Sequence, residues 1–320
     1  MTLDQQRCDA IQEALTQRNW PVVFAGLGKW MAHYHQELSL LPSRQRARRP
    51  LLWQSLADVA EASAEQRLLE QLWQELDRLP PPAAPVGRIP LLGVPILNGP
   101  ELLERLLASL DQPVHTLAIV DNSSGNAAVQ SVLTRLEAEG HPQVERVRVA
   151  RPFGNQGVAA SWNQILTAFP ELPWALILNN DVVFAPGVLA QLLAVVDPGQ
   201  PQWVPLLPGA AAYSAFVLTA LAWDRVGLFD ESFYPAYWED TDYRNRLDAD
   251  PLVQQLEQGP WLAAMAAANP SGSATLAADP ALAEANRSSF QLNRLWYFSR
   301  RRLVGDRRGG WRRRWLASWP

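Results

Sequence analysis

From Arg88 onward the chain alternates short apolar runs with stretches of helical period, and this alternation narrows the possible folds more than any other feature. The strand candidates are Ile89 to Leu97, Leu117 to Asp121, Val144 to Ala150 and Trp174 to Phe184. Helical patterns separate them at Pro100 to Leu110, Ala127 to Glu139 and Val158 to Phe169. Strands joined through helices of about 10 to 15 residues form βαβ units with a mostly parallel sheet. Their crossovers are right-handed, so the carboxyl ends of the strands gather on one edge, where open α/β sheets bind ligands. Asn98, Asp121, Asn122 and Asn179 to Asp181 fall at or just beyond those ends, so one crevice is expected to hold them.

Residues before this region read differently. Leu68, Leu69, Leu72, Trp73, Leu76 and Leu79 recur at helical spacing, and an earlier helix is expected over Asp4 to Gln17. The run from Pro80 to Pro85 cannot continue a helix and favours an extended spacer. The expected organisation is a helical N-terminal region over 1–79, a Pro-rich linker over 80–87, an α/β core over 88–293 and a basic tail over 294–320.

Composition of 48% apolar and 19% charged residues fits a soluble globular protein. Cys8 is the one cysteine, which excludes an intrachain disulfide framework and fits a reducing, cytoplasmic setting. The first residues lack an apolar signal core, and no run of about 18 apolar residues could span a bilayer. The formal charge of −4 conceals an asymmetry: residues 294–320 hold nine arginines against Asp306, a net +8 that leaves −12 for the rest. Arg300 to Arg302, Arg307, Arg308 and Arg312 to Arg314 are interleaved with Trp311, Trp315 and Trp319, a mixture suited to anionic headgroups at the inner membrane face. A solvated tail, or one folded onto the acidic body, is the alternative. Nucleic acid is disfavoured as a partner because an acidic body repels phosphate.

Two acidic clusters carry the chemistry. Leu176-Ile-Leu-Asn-Asn-Asp-Val-Val-Phe184 ends an apolar run on a carboxylate, and Val226 to Tyr243 contains Phe229-Asp-Glu and Glu239-Asp-Thr-Asp242 among aromatics. Upstream stand Gly93-Val-Pro-Ile-Leu-Asn-Gly-Pro100, Ile119-Val-Asp-Asn-Ser-Ser124 and Phe153-Gly-Asn-Gln-Gly-Val-Ala-Ala-Ser-Trp-Asn163. In this order and spacing, over about residues 88 to 300, the motifs resemble those of the family 2 glycosyltransferases, in which a rhamnosyltransferase-like subgroup is one branch. The resemblance implies an α/β GT-A fold with a mixed, mostly parallel central sheet, and transfer of a sugar from a nucleotide diphosphate to an acceptor hydroxyl on a glycan, a lipid-linked glycan or a protein.

The same resemblance implies roles. Pro95, Leu97 and Asn98 would lie against base and ribose, and Asp121, an acceptor of hydrogen bonds only, would read their N–H or hydroxyl groups. Asn122, Ser123 or Ser124 could instead cap a helix. Gly157 and Asn180 would contact the donor, Gly157 by letting backbone approach at a helix start, while Asn155 and Asn163 would each bond to the donor or brace the metal loop. Asp181 would hold Mg2+ or Mn2+, which needs only one or two protein carboxylates when phosphate and water supply the rest. Asp240 is the implied base of an inverting transfer, and Glu239 would bond the acceptor or orient that base. Asp242 could pair with Arg246, four residues on, and these acids could equally serve the positive end of a helix. Tyr234, Tyr237 and Trp238 are either a sugar-stacking platform or core.

Asn269-Pro-Ser-Gly-Ser-Ala-Thr275 and Asn293-Arg-Leu-Trp-Tyr-Phe298 resemble the closing segments. Asn269 stands where many relatives carry a histidine, and His33, His35, His115 and His141 all precede the metal motif, which puts the need for metal in question. Two other readings compete: a nucleotidyltransferase, whose glycine-rich basic loop is missing, and a sugar-nucleotide or glycan-binding scaffold without turnover. A nicotinamide dehydrogenase is disfavoured because no Gly-x-Gly-x-x-Gly follows the first strand.

Overall fold

The computed structural model describes residues 3–23, 25, 26, 68, 71, 85, 87–270 and 280–299. The chain divides into two compact units, Met1–Pro80 and Pro81–Pro320. In the first, helix α1 (Leu3–Thr16) lies one residue from its expected bounds. Its Ile11, Ala14 and Leu15 are buried with Val23 and Leu68, and Trp20 packs against them. Leu69, Leu72, Trp73, Leu76 and Leu79, most of the proline run, and Arg300 to Pro320 lie outside the described residues.

The second unit is built on a seven-stranded sheet: β1 (Ile89–Ile96), β2 (Val114–Asp121), β3 (Val144–Ala150), β4 (Trp174–Leu178), β5 (Gln202–Pro205), β6 (Ala215–Thr219) and β7 (Gln254–Gln255). Its order is β3-β2-β1-β4-β6-β5-β7. β6 runs antiparallel to both β4 and β5, whereas every other pairing is parallel. The expected α/β class with a mixed, mostly parallel sheet is therefore met. β1 reads Ile-Pro-Leu-Leu-Gly-Val-Pro-Ile and is almost wholly buried, the pattern of a central strand covered on both faces.

Alternate residues feed two apolar layers, as the two-residue period of a strand requires. Leu92, Val94, Leu117, Ile119, Leu176 and Leu178 face one layer, closed by α2 (Pro100–Ala108), α3 (Ala127–Glu139), α5 (Val188–Val195) and α8 (Trp261–Ala268). Leu91, Ala118, Val120, Ala175 and Ile177 face the other, against α4 (Val158–Ala168), α6 (Ala220–Val226) and α7 (Glu239–Ala249). Gly93 lets α4 approach β1: a Cβ there would stand 2.5 Å from Ile165 and 2.8 Å from Ile177. Helix α9 (Pro280–Ser299) runs unbroken across position 293.

The strand expected over Trp174 to Phe184 ends at Leu178, because Asn179 to Asp181 turn away while Val182 and Phe184 enter the first layer. β2 begins at Val114, earlier than expected. No described helix is long and apolar enough to cross a membrane.

Candidate functional site

The carboxyl ends of β1, β2 and β4 meet as expected. Pro95, Leu97 and Asn98 are half-buried there, and the Asn98 Oδ1 is buried without a hydrogen bond. Asn122 donates its backbone N–H to the Ile96 carbonyl at 2.7 Å, joining the two strand ends. Its amide Nδ2 donates to Ser161 Oγ at 2.8 Å and its Oδ1 accepts the Gln156 N–H at 3.1 Å. Asn122 is thus a brace between β2 and α4. Asn126, not Asn122, Ser123 or Ser124, caps α3, accepting from the N–H groups of Ala128 and Val129. An Asn immediately before a helical run was the available signal.

Asp121 is buried at 5% exposure, with Oδ1 accepting the Ser123 N–H at 2.9 Å and Oδ2 accepting from Gln130. Gln130 Oε1 in turn accepts from Arg151, which forks onto Glu137. That pair holds the Glu137 carboxyl below its ordinary value. The Gln130 and Arg151 links were not anticipated, since nothing in local spacing ties position 151 to 130.

At the end of β4 the Asn179 N–H donates to the Ser214 carbonyl at 2.8 Å. Asn180, expected to meet the donor, is 5% exposed and donates its Nδ2 to the Asn98 carbonyl at 2.8 Å. It ties β4 to the turn after β1. Asp181 is half-buried in the turn that follows. Two residues on, Val183 is clamped by Asn269, whose Oδ1 accepts the Val183 N–H at 2.8 Å while its Nδ2 donates to the Val183 carbonyl at 2.9 Å and to the Met265 carbonyl. The residue in the expected histidine position is therefore a neutral brace of the turn that carries Asp181. Of the histidines, His33 and His35 lie outside the described residues, and His115 sits near the amino end of β2, away from Asp121.

Among the described residues no three His, Cys, Asp or Glu side chains group as a metal cage. The donors at this edge fit a hard cation shared between Asp181, diphosphate oxygens and water.

The acidic turn reaches the same edge through Gly157. This glycine has φ of 85°, and a Cβ on it would stand 2.8 Å from the Pro235 carbonyl oxygen and 3.0 Å from the Tyr234 ring. Val158, the first residue of α4, donates its N–H to that Pro235 carbonyl at 2.7 Å, and the Tyr234 hydroxyl donates to the Asn155 carbonyl at 3.0 Å. Asn155 Oδ1 accepts the Gly157 N–H. The close approach expected of Gly157 is thus made by the chain's own turn, and the Val158 N–H meets that turn. Asn163 likewise braces: it exchanges two hydrogen bonds with the Phe229 backbone at 2.9 Å and donates to Glu231.

Tyr237 and Trp238 both have positive φ, 76° and 75°, a conformation that bulky residues hold only when their surroundings enforce it. α9 supplies that enforcement. Asn293 Nδ2 donates to the carbonyls of Tyr234, Ala236 and Tyr237, and Ser289 Oγ donates to those of Tyr234 and Ala236. Tyr237 and Trp238 pack on Phe290, and Trp238 also meets Tyr297 and Phe298. These two aromatics therefore join the turn to α9.

Helix α7 opens with the acids. Glu239 is 5% exposed, its Oε2 buried without a hydrogen bond. Burial, then the neighbouring Asp240 charge, pushes its carboxyl up to about 8. Asp240 is half-buried and accepts the Thr241 N–H at 2.6 Å. Of the two adjacent acids, Glu239 is thereby favoured in its neutral form and Asp240 is the more accessible. Asp242 pairs with Arg246 at 3.1 Å as the four-residue spacing implied, and Arg246 also holds the Val226 and Leu228 carbonyls.

Residues 92–204 match the family model described as glycosyl transferase family 2. The chain is similar to the crystal structure of S. aureus TarS 1-349, with 17% identity and a TM-score of 0.41 over 53% of this chain and 58% of that one. It is also similar to the crystal structure of GalNAc-T7 with UDP, GalNAc and Mn2+, with 11% identity and a TM-score of 0.45 over 54% of this chain and 43% of that one. The chain thus spans under two thirds of either structure. No curated protein matches it.

Proposed function

We propose that this chain, whose residues 92–204 match the model of glycosyl transferase family 2, moves a sugar from a nucleotide diphosphate to an acceptor hydroxyl with inversion, in the synthesis of a glycan or glycoconjugate. The observation that carries the reading is the junction of the Tyr234–Pro235 turn with Asn155 to Val158. It joins the turn bearing Asp240 to the sheet edge bearing Asp121 and Asp181.

In this reading Asp121, with Pro95, Leu97 and Asn98, forms the nucleoside side, and Asn155 and Gly157 shape the loop beside it. Asp181 would hold a divalent cation, Mg2+ or Mn2+, which when bound neutralises charge on the departing diphosphate. Asn180 and Asn269 keep that turn in place. Asp240 takes the proton from the acceptor hydroxyl as its oxygen attacks the anomeric carbon. Glu239, whose buried carboxyl is favoured in its neutral form, bonds the acceptor or orients Asp240 at the start of α7. We also propose a helical region over 1–79, a linker over 80–87 and a core that begins at 88 and extends beyond 293 to the end of α9, which runs unbroken across that position, with a cytoplasmic setting and peripheral contact with a membrane.

Calorimetric titration of UDP, GDP and dTDP with manganese, magnesium or chelator tests the donor site. Metal-dependent binding of one nucleotide that is lost in Asp181→Asn, with Asp240→Asn still binding but inactive in transfer, is the expected result. Binding of none of them removes the transferase reading in favour of a scaffold.

A further inference from the structure

Asp121 is held by a relay of side chains to which the proposed transfer assigns no part. Its Oδ1 accepts the Ser123 N–H at 2.9 Å and its Oδ2 accepts from the Gln130 amide. Gln130 closes the first turn of α3: its N–H donates to the Asn126 carbonyl at 2.9 Å, and the Asn126 side chain caps that same turn. Glu137 follows Gln130 by seven residues of α3, two helical turns on, and so shares its face. Arg151, the first residue after β3, reaches both. Its Nε donates to Gln130 Oε1 at 3.3 Å, and its two terminal nitrogens donate to the Glu137 carboxylate at 3.0 and 2.5 Å.

Chemistry at the two ends decides which way the amide points. Arginine only donates hydrogen bonds and a carboxylate only accepts them. Between Arg151 and Asp121, Gln130 must turn its oxygen to the first and its NH2 to the second, because the reverse would set donor against donor and acceptor against acceptor. The fork onto Glu137 keeps Arg151 from swinging away. A carboxylate offers about four acceptor positions, and Ser123 and Gln130 take one on each oxygen of Asp121. Asp121 is 5% exposed, so a ligand meets the remaining positions already ordered and loses less freedom on binding them.

We propose that Gln130 is a positioning residue for nucleotide recognition: pinned by Arg151 and Glu137, it holds the Asp121 carboxylate in the orientation in which its remaining lone pairs meet the hydroxyl or N–H donors of a nucleoside. This role rests on the reading of Asp121 as a nucleoside contact. Gln130 and Arg151 touch Asp121 and each other, not the nucleotide, so they act on affinity through Asp121 alone.

The test is calorimetric titration of the full chain, with manganese present, by the tightest-binding of UDP, GDP and dTDP and separately by inorganic pyrophosphate, which lacks a nucleoside and reports the diphosphate side alone. Gln130→Met should weaken the nucleotide about tenfold, the worth of one hydrogen bond to a charged group, and leave pyrophosphate within about twofold. Gln130→Glu keeps the shape and the acceptor for Arg151 but sets a second carboxylate against Asp121, so it should weaken the nucleotide further. In an Asp121→Ala background Gln130→Met should add less than about twofold, because the two residues work as one unit. Cooperative thermal unfolding shows that each variant folds, and the isosteric Gln130→Glu carries the comparison where Gln130→Met does not. Unchanged nucleotide affinity in both Gln130 variants, equal losses of nucleotide and pyrophosphate, or additive losses with Asp121→Ala would each overturn the proposal while the donor site stands. A larger loss in Arg151→Met than in Gln130→Met would put Arg151 on the nucleotide itself and overturn it too. Binding of none of the three nucleotides by the wild type removes the donor reading and this role with it.

Discussion

Replacing Asn293 by Ala tests whether α9 enforces the geometry of the acidic turn. The Asn293 amide is 2% exposed and donates to the carbonyls of Tyr234 at 3.3 Å, Ala236 at 2.9 Å and Tyr237 at 3.1 Å. Ser289 reaches the first two at 3.2 and 3.0 Å, so the substitution strips the Asn293 bond from Tyr237 without that second donor to compensate. A buried acceptor left unpaired costs about 1–3 kcal/mol. For a unit of this size each kcal/mol lowers the melting temperature by about 2–4 °C, so a fall of roughly 2–12 °C is expected. The carbonyl affected belongs to the first of two residues held at positive φ, immediately before Glu239 and Asp240. Relaxation of that backbone, which stores about 1–3 kcal/mol per strained residue, would swing the start of α7. Transfer should therefore fall at least about tenfold in kcat, the cost of roughly 1.4 kcal/mol in the transition state, while nucleotide affinity by calorimetry stays within about twofold. Ser289→Ala serves as the internal comparison: its two carbonyls keep Asn293, and it should cost no more than about 1.5 kcal/mol. A melting temperature within about 1 °C of wild type together with unchanged kcat in Asn293→Ala, or a larger loss in Ser289→Ala, would refute the reasoning.

Three further outcomes are expected. Gly157→Ala should destabilise by on the order of 1–3 kcal/mol in urea unfolding, because its φ of 85° and the Pro235 oxygen 2.8 Å from the added Cβ both oppose it; wild-type stability would mean that the turn does not seat against α4. Asn269→Ala removes both bonds to Val183 and should weaken metal-dependent nucleotide binding several-fold while sparing metal-free binding; an equal change in both would show that Asn269 does not act through the Asp181 turn. The Glu239 carboxyl is raised from 4.5 to about 8 in the folded chain, so the fold favours its protonated form. Its contribution is fully present below pH 4.5 and declines as pH rises toward and through about 8. Urea midpoints from pH 5 to 9 should fall more steeply in wild type than in Glu239→Gln, and parallel profiles would remove the buried acid as the cause.

The central strands were legible because each is a continuous apolar run bounded by Gly, Pro, Asn or Asp, as strands covered on both faces must be. The far side of the sheet was not. β5 has four residues and β7 two, too short for a period to register, and β6 lies between an alanine-rich 3-10 turn and α6, within a run whose composition also suits a helix. At β4, Val182 and Phe184 prolong the apolar pattern although the backbone has already turned, since burial in a layer does not require a strand.

For the candidate site, the gathering of Asp121 and Asp181 at one sheet edge was legible and several side-chain partners were not, and the division follows chemistry. Asn122, Asn163, Asn180, Asn269 and Asn293 all place their amides on backbone or side chains distant in sequence. Such partners are decided by tertiary approach, so local spacing cannot announce them. An amide can donate and accept at once and carries no net charge, so it can clamp a turn from both directions without altering the field there. A charged brace at the same positions would change the field around Asp181 and Asp240. The asparagines that read in sequence as ligand contacts thus include the parts best suited to holding carboxylates still, and a site whose work depends on where charge lies gains from being framed by neutral clamps.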